Sequence, residues 1–202
     1  MLRDVVLATR NPHKAAELAA ILAGLPVRIH TMDEFPGVPD VVEDGDTCEA
    51  NAVKKATVVF KATGLLAVAD DTGLEVDALE GRPGVYAARY AGPEATYEDN
   101  CRKLLKELCG VPAPRRTARF ITVAAVASSQ KVDVMNGTLD GLITEAPAGT
   151  RGFGYDPVFY VPELGKTLAE LSPEQKNRIS HRAKAFSQVR EFLKSRLEIE
   201  GT

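Results

Sequence analysis

Three things are scarce in this sequence, and each scarcity removes a class of function. Basic charge is not in surplus: 25 lysines and arginines stand against 28 aspartates and glutamates, a net charge of -3. Without a global positive field the chain cannot hold a nucleic-acid backbone nonspecifically, so no nucleic-acid polymer is expected as a partner and any anion site must be local. Long apolar runs are missing as well. No segment approaches the ~20 apolar residues that cross a bilayer. The opening Met1-Leu2-Arg3-Asp4 leads into a short strand and not into the apolar stretch of a signal peptide, so the expected setting is cytoplasmic, with no membrane partner. Cysteine is limited to Cys48, Cys101 and Cys109, an odd number without CxxC or metal-finger spacing. All three fall in or beside apolar periodic stretches, which predicts reduced, buried thiols.

What is present is enough apolar material, 45% of 202 residues, to bury a full core. No internal repeat, low-complexity tract or linker interrupts the chain. Residues 1–202 therefore read as a single domain, one unit or two closely packed lobes with no boundary that can be drawn.

The periodicities alternate along the first half. Val5 to Ala8 is a short apolar run ending at Thr9, and Pro12 then suits a first helical turn; the helix places Ala15, Leu18, Leu22 and Leu25 on one face before Gly24 and Pro26 close it. Val27 to Met32 reads as a second strand, and Asp33 to Asp46, rich in proline, glycine and acid, as a surface loop. Thr47 is an N-cap for a helix that stacks Cys48, Ala52, Ala56 and Val59 before Gly64. Leu65 to Ala69 is continuously apolar, as in a strand buried on both faces.

Gly73 to Gly92 predicts turns and short strands. A helix near Thr96 to Leu108 turns Cys101, Leu104, Leu105 and Leu108 inward. Arg119 to Ala127 and Lys131 to Leu139 form a hairpin across Ser128-Ser129-Gln130. Ser172 to Gln175 has capping-box form, and the last helix, Ser180 to Leu197, stacks Ala183, Phe186, Val189 and Leu193. Alternating helices and strands plus an antiparallel hairpin predict an α/β fold with a mixed sheet.

Four segments carry chemistry-bearing residues. Thr9-Arg10-Asn11-Pro12-His13-Lys14 lies between a strand and a helix N-terminus, where free N–H groups and the helix dipole favour an anion such as a triphosphate. It is not a P-loop, and Asn11 as a simple cap with Lys14 solvated explains the pattern equally. Asp70-Asp71 follows the buried strand; paired carboxylates at a strand end suit a divalent metal, and also suit a turn capped by one of them. Glu43, in the acidic loop, is either a further oxygen ligand or a solvated charge. Gly152-Phe153-Gly154-Tyr155-Asp156-Pro157 can bring a ring and backbone amides against a flat base, or form a tight turn on a buried aromatic. Lys176 and Ser180-His181-Arg182 offer donors for carbonyl or phosphate oxygens, or lie on the surface.

In this order the segments resemble the inosine triphosphate pyrophosphatase family, house-cleaning enzymes that remove non-canonical purine nucleotides. The matching stretches are Thr9 to Lys14, Glu43-Asp44-Gly45-Asp46-Thr47 through Asn51-Ala52, Ala69-Asp70-Asp71-Thr72-Gly73-Leu74, Pro83-Gly84-Val85-Tyr86 through Ala91-Gly92, Gly152 to Phe159, and Lys176-Asn177 through Arg182. They span nearly the whole chain. Ala87 stands where many relatives have serine, and Thr72 keeps the hydroxyl of a serine that touches substrate in many of them.

The resemblance implies an elongated two-lobed α/β fold, with a long central mixed sheet flanked by helices and a nucleotide cleft between the lobes. It implies a homodimer, and hydrolysis of ITP, dITP or XTP to the monophosphate and pyrophosphate with magnesium. Carried over, Thr9, Arg10, Asn11, Pro12, His13 and Lys14 form the triphosphate segment, and Glu43 and Asp71 the magnesium site, with Asp71 also the proton acceptor. Thr72, Phe153, Gly154, Tyr155, Asp156, Lys176, His181 and Arg182 are implied substrate contacts. His181 and Arg182 would be the donors that choose a 6-oxo purine over adenine. Two rivals remain open: a phosphatase working through an aspartyl-phosphate, and a nucleotide sensor without turnover.

Overall fold

A computed structural model describes residues 3–199 of the chain. Met1 and Leu2, on which the reading of the opening segment partly rests, lie outside the described residues. Among the described residues eight strands and five α-helices follow in the order β1 (Arg3–Leu7), α1 (Pro12–Leu22), β2 (Val27–His30), α2 (Cys48–Thr63), β3 (Leu66–Val76), β4 (Pro83–Gly84), α3 (Tyr97–Glu107), β5 (Thr117–Ala127), β6 (Val132–Ile143), β7 (Phe159–Val161), β8 (Lys166–Thr167), α4 (Pro173–Ile179) and α5 (His181–Ile199). The strand order is β2-β1-β3-β5-β6-β7-β8, with β4 paired to β3. β1 runs parallel to both β2 and β3, whereas β3/β4, β6/β7 and β7/β8 are antiparallel, so the sheet is mixed as the sequence predicts. No helix among the described residues is long and apolar enough to cross a membrane.

The chain divides into two compact units. The first comprises Met1–Asp71, Thr122–Gly137 and His181–Thr202; the second comprises Thr72–Ile121 and Thr138–Ser180. In the first unit, Leu18 and Leu22 of α1 and Ala185, Phe186, Val189 and Leu193 of α5 pack on Val5 and Leu7, Leu66 and Val68, and Ala124 and Val126. Alternate residues of β1, β3 and β5 thus face one helical layer. Emptying such a site, as in Phe186→Ala, costs about 3–5 kcal/mol. A side chain at Gly137 of β6 would overlap the backbone of His181 and Ala185, so α5 lies directly on the strand at that point. The second unit buries Leu104 and Leu108 of the α3 stripe with Leu74, Val76, Phe120, Ile143, Phe159 and Leu168.

Several helix starts follow their sequence signals. Thr47 accepts the Ala50 N–H at 3.1 Å, and Ser172 with Gln175 closes a capping box at the start of α4. Elsewhere the structure corrects the sequence. The second strand stops at His30, because Met32 turns its side chain into the core from a short helical turn over Met32–Glu34. Cys109 is exposed and Cys48 half-buried, so only Cys101 fits the expectation of a buried thiol; all three are free. The largest correction is β3. It does not end at Ala69 but continues through Asp70, Asp71, Thr72 and Gly73 to Val76, so the carboxylate pair sits in mid-strand and neither at a strand end nor in a turn.

Candidate active site

Adjacent residues of a strand point to opposite faces, and Asp70 and Asp71 are therefore separate problems in charge compensation. Both are buried. Asp70 shares its face with Leu66 and Val68, against α1 and α5. There Lys14 Nζ lies 3.0 Å from its Oδ2, and Arg182 Nε donates to the same oxygen at 3.4 Å. Arg182 in turn meets Glu17 Oε2 of α1 at 2.7 Å. Burial by itself would raise the Asp70 carboxyl, but Lys14, Arg182 and Lys55 outweigh it and hold the group far below the ordinary carboxylate range. Asp70 is a permanent anion clamped from two helices.

Asp71 faces α2. Asn51 donates from Nδ2 to its Oδ2 at 3.2 Å, and one helical turn on, Lys55 Nζ reaches its Oδ1 at 3.5 Å and Glu43 Oε1 at 2.8 Å. The Asn51 carboxamide also accepts the Gly45 N–H at 2.8 Å, which ties the acidic loop to the helix. The Cys48 thiol donates to Asp71 from the first turn of α2; burial, with that carboxylate beside it, pushes the thiol up to about 12, so it is no nucleophile. For Asp71 burial is the largest influence and is reinforced by Glu43; the opposing pull of Lys55, Lys14 and Asn51 is insufficient. Its carboxyl ends above its ordinary value. Two neighbouring aspartates thus part company: one is fixed as an anion, the other holds a proton more readily, and proton affinity is what a base requires.

The segment before α1 is more fully occupied than its sequence predicts. Asn11 is the helix cap, accepting the N–H groups of His13 at 3.0 Å and Lys14 at 3.3 Å, so those donors are not free for an anion. Asn11 N–H is itself taken by Thr9 Oγ1 at 3.2 Å. Pro12 holds the first helical position. Arg10 turns away to Asp40 at 2.6 Å and to the Val38 carbonyl, leaving His13 exposed at the helix start. Lys14 is bound to a carboxylate and not to solvent. His181 and Arg182, which a helix start would ordinarily expose, are both buried.

In the second unit, Thr72 follows Asp71 along β3, half-buried. The 153–156 segment there is a tight, pinned turn. Asp156 Oδ2 accepts the Phe153 N–H at 2.9 Å and the buried Lys176 Nζ at 2.6 Å. Gly152 has φ +75°, and a Cβ there would overlap the Asp156 carboxylate; Gly154 has φ +64°. The left-handed backbone explains both glycines. Tyr155 is not an open stacking surface. Its ring is in the core and its hydroxyl donates to the Ala87 carbonyl at 2.9 Å, so the buried-aromatic alternative holds for that residue. Phe153 is the half-buried ring, with Lys176 Nζ 5.0 Å from its centroid.

Sequence reasoning did not pick out Glu17, Cys48, Asn51 or Lys55 as parts of this machinery. One signal existed: Asn51 and Lys55 fall on the same buried face of α2 as Ala52, Ala56 and Val59, and a buried lysine or asparagine needs a polar partner. Among the described residues, no three histidine, cysteine, aspartate or glutamate side chains gather into a ready metal cage. Glu43 and Asp71 do face one common point, marked by the ammonium they share. Two hard oxygen donors converging in this way fit a hard divalent cation.

Comparison with known proteins fits this geometry. A family model described as Ham1 family matches residues 5–192. The chain belongs to the Ham1 family. The match bears out the resemblance to the pyrophosphatase family read from the motifs. Among curated relatives, a dITP/XTP pyrophosphatase of a Thermoanaerobacter species is 50% identical, covering 96% of this chain and 98% of the relative. One of Geobacter sulfurreducens is 51% identical, covering 94% and 96%. The solved structure of a HAM1 protein from Coxiella burnetii superposes with a TM-score of 0.88 at 41% identity, over 96% of this chain and 100% of that one.

Proposed function

We propose that this Ham1-family protein hydrolyses non-canonical purine nucleoside triphosphates, ITP, dITP or XTP, to the monophosphate and pyrophosphate, and so cleanses the nucleotide pool. The observation that carries the reading is Asp71, a buried carboxylate raised in proton affinity and faced by Glu43 and Lys55. The naming of the relatives as dITP/XTP pyrophosphatases supports it.

Charge decides what else the reaction needs. In the cluster around the aspartates, Lys14, Lys55 and Arg182 face Glu17, Glu43, Asp70 and Asp71, three cations against four carboxylates. Such a cluster has no positive charge to spare for a triphosphate. A divalent cation, which we take to be Mg2+, would be held by Glu43 and Asp71, and when bound it makes a coordinated water more acidic and offsets phosphate charge.

Asp71 orients the attacking water and accepts its proton as the oxygen reaches the α-phosphorus. Glu43 would share the cation with Asp71, and Asn51 fixes the Asp71 rotamer from Nδ2. Lys55, released in part from Glu43 and Asp71, stabilises negative charge growing on the departing pyrophosphate, together with Lys14. Asp70 keeps Lys14 and Arg182 in place throughout. In the second unit, Phe153 offers its ring to the purine, with Gly154 leaving the approach open and Asp156 and Lys176 holding the turn; Thr72 adds a hydroxyl. Thr9, Asn11 and Pro12 shape the start of α1, whose first amides are taken by the cap, so that this segment serves the phosphates by positioning Lys14, with His13 exposed beside it and Arg10 held away on Asp40. His181 contributes a donor to the 6-oxo group. Arg182 is reassigned, because its Nε and Nη1 serve Asp70 and Glu17; it acts on the substrate only through Asp70. The same reading makes the enzyme a cytoplasmic homodimer.

The experiment that tests the proposal is kcat/KM for ITP, XTP, GTP and ATP in magnesium and in EDTA, with the phosphorus products identified. Pyrophosphate release from ITP and XTP that stops in EDTA is expected. Orthophosphate release would transfer the site to aspartyl-phosphate chemistry, and a preference for ATP would overturn the selectivity.

A further inference from the structure

The 153–156 turn is fixed from several sides by its backbone, and the Phe153 ring takes its orientation from the side chains that touch it. Lys176 Nζ lies over the ring. Tyr97 is another neighbour, its ring centroid 5.9 Å from that of Phe153 with the planes inclined at 45°. That separation and tilt fall within the range in which aromatic pairs attract beyond simple burial.

The position of Tyr97 in α3 makes the contact more than incidental. Thr96 caps the helix, so Tyr97 is its first residue. It continues the inward stripe Cys101, Leu104 and Leu108 by one turn toward the N-terminus. The three later members of the stripe are buried in the core, whereas Tyr97 is 38% exposed. The stripe therefore runs off the core and onto the turn. Residues one helical turn apart on α3 meet consecutive residues of that turn: Tyr97 meets the Phe153 ring, and the Cys101 Sγ donates to the Gly154 carbonyl at 3.4 Å. The Tyr97 ring thus reaches Phe153 from the end of the stripe.

We propose that Tyr97 is a positioning residue for base recognition: its ring sets the orientation of Phe153, and through it the affinity for a purine nucleotide. The inference rests on the reading of Phe153 as the base platform. It assigns to α3 a specificity role that no motif in the sequence marks.

The test is a double-mutant cycle on the full chain with Tyr97→Ala, Tyr97→Phe, Phe153→Ala and the double alanine variant. Two measurements are made: Kd for ITP in EDTA, where turnover is absent, and kcat and KM in magnesium. Tyr97→Ala should weaken ITP binding and raise KM by about three- to tenfold, with kcat within about twofold, the size expected for one aromatic pair. Tyr97→Phe, which keeps the ring, should restore both. In the Phe153→Ala background, Tyr97→Ala should have no further effect.

Unchanged Kd in Tyr97→Ala, or a loss that adds independently of Phe153, overturns the inference while leaving the hydrolase reading untouched. Coupling in Kd without any turnover by the wild type would do the reverse, sinking the hydrolase reading and keeping the role of Tyr97. Failure of the wild type to bind ITP at all would overturn both.

Discussion

The two candidate regions are held together by opposite means. Around Asp70 and Asp71, long charged side chains converge from three helices, joined by the Asn51 carboxamide and the Cys48 thiol. Around Phe153, short-range backbone bonds and the Lys176–Asp156 ion pair fix a turn, with a ring and a thiol of α3 against it. Buried ions are costly unless compensated, so the first region is tuned in energy, and small changes in its charge alter what its groups do. The second is tuned in shape. On the proposed function the first makes and breaks bonds and the second chooses the ligand, and substitutions should then divide between kcat and KM.

The largest expected effect is that of Asp71→Asn. It keeps size and the Asn51 neighbourhood but removes the proton acceptor, and should lower kcat by about 10³-fold with the far-ultraviolet circular dichroism unchanged. Full turnover would remove Asp71 from the chemistry. Next in size, Arg182→Met leaves Asp70 and Glu17 with less compensation in the interior; denaturant unfolding should show a loss of about 3–5 kcal/mol. A loss below about 1 kcal/mol would mean that Lys14 alone suffices. In the second region, Lys176→Met should raise KM for ITP by about tenfold while kcat changes by less than about threefold, the scale of one charged hydrogen bond. A fall in kcat of the same size would erase the division of labour between the regions.

The smallest effect calibrates the others. His30 bridges Asp4 and Glu34, each at 2.8 Å, in a partly exposed cluster. Its hydrogen bonds to the carboxylates of Asp4 and then Glu34 raise its pKa above the ordinary 6.5. A group raised on folding stabilises the protein fully below its unfolded value, and that contribution is lost as pH climbs through the raised value. The wild type should therefore lose more Tm than His30→Gln as pH is taken from below 6.5 upward. The difference should be small, as for other exposed pairs. Parallel Tm curves would show that the cluster contributes nothing.

Most of the helices and strands were legible in the sequence, because apolar periodicity, the Thr47 cap and the Ser172 capping box are local signals. What escaped was set by distant residues. Asp-Asp-Thr-Gly has the composition of a turn, and nothing nearby indicates that Lys14, Lys55 and Arg182 will make two buried carboxylates tolerable in mid-strand. The motif order pointed to the right family. It gave no view of how Asn11 uses up the first amides of α1, or of how Lys55 bridges Glu43 and Asp71, since both depend on rotamers and not on residue type.

Arg182 follows Asp70 by 112 positions along the chain and Glu17 by 165. On a ribosome adding about 5–20 residues each second, Asp70 and Lys14 therefore emerge on the order of ten seconds before the guanidinium that completes their pairing. During that interval β3 carries an undercompensated carboxylate that does better in water, which should keep the strand from sealing prematurely against its neighbours. The last of the cations comes with α5, which is seated against Gly137 where no side chain intervenes.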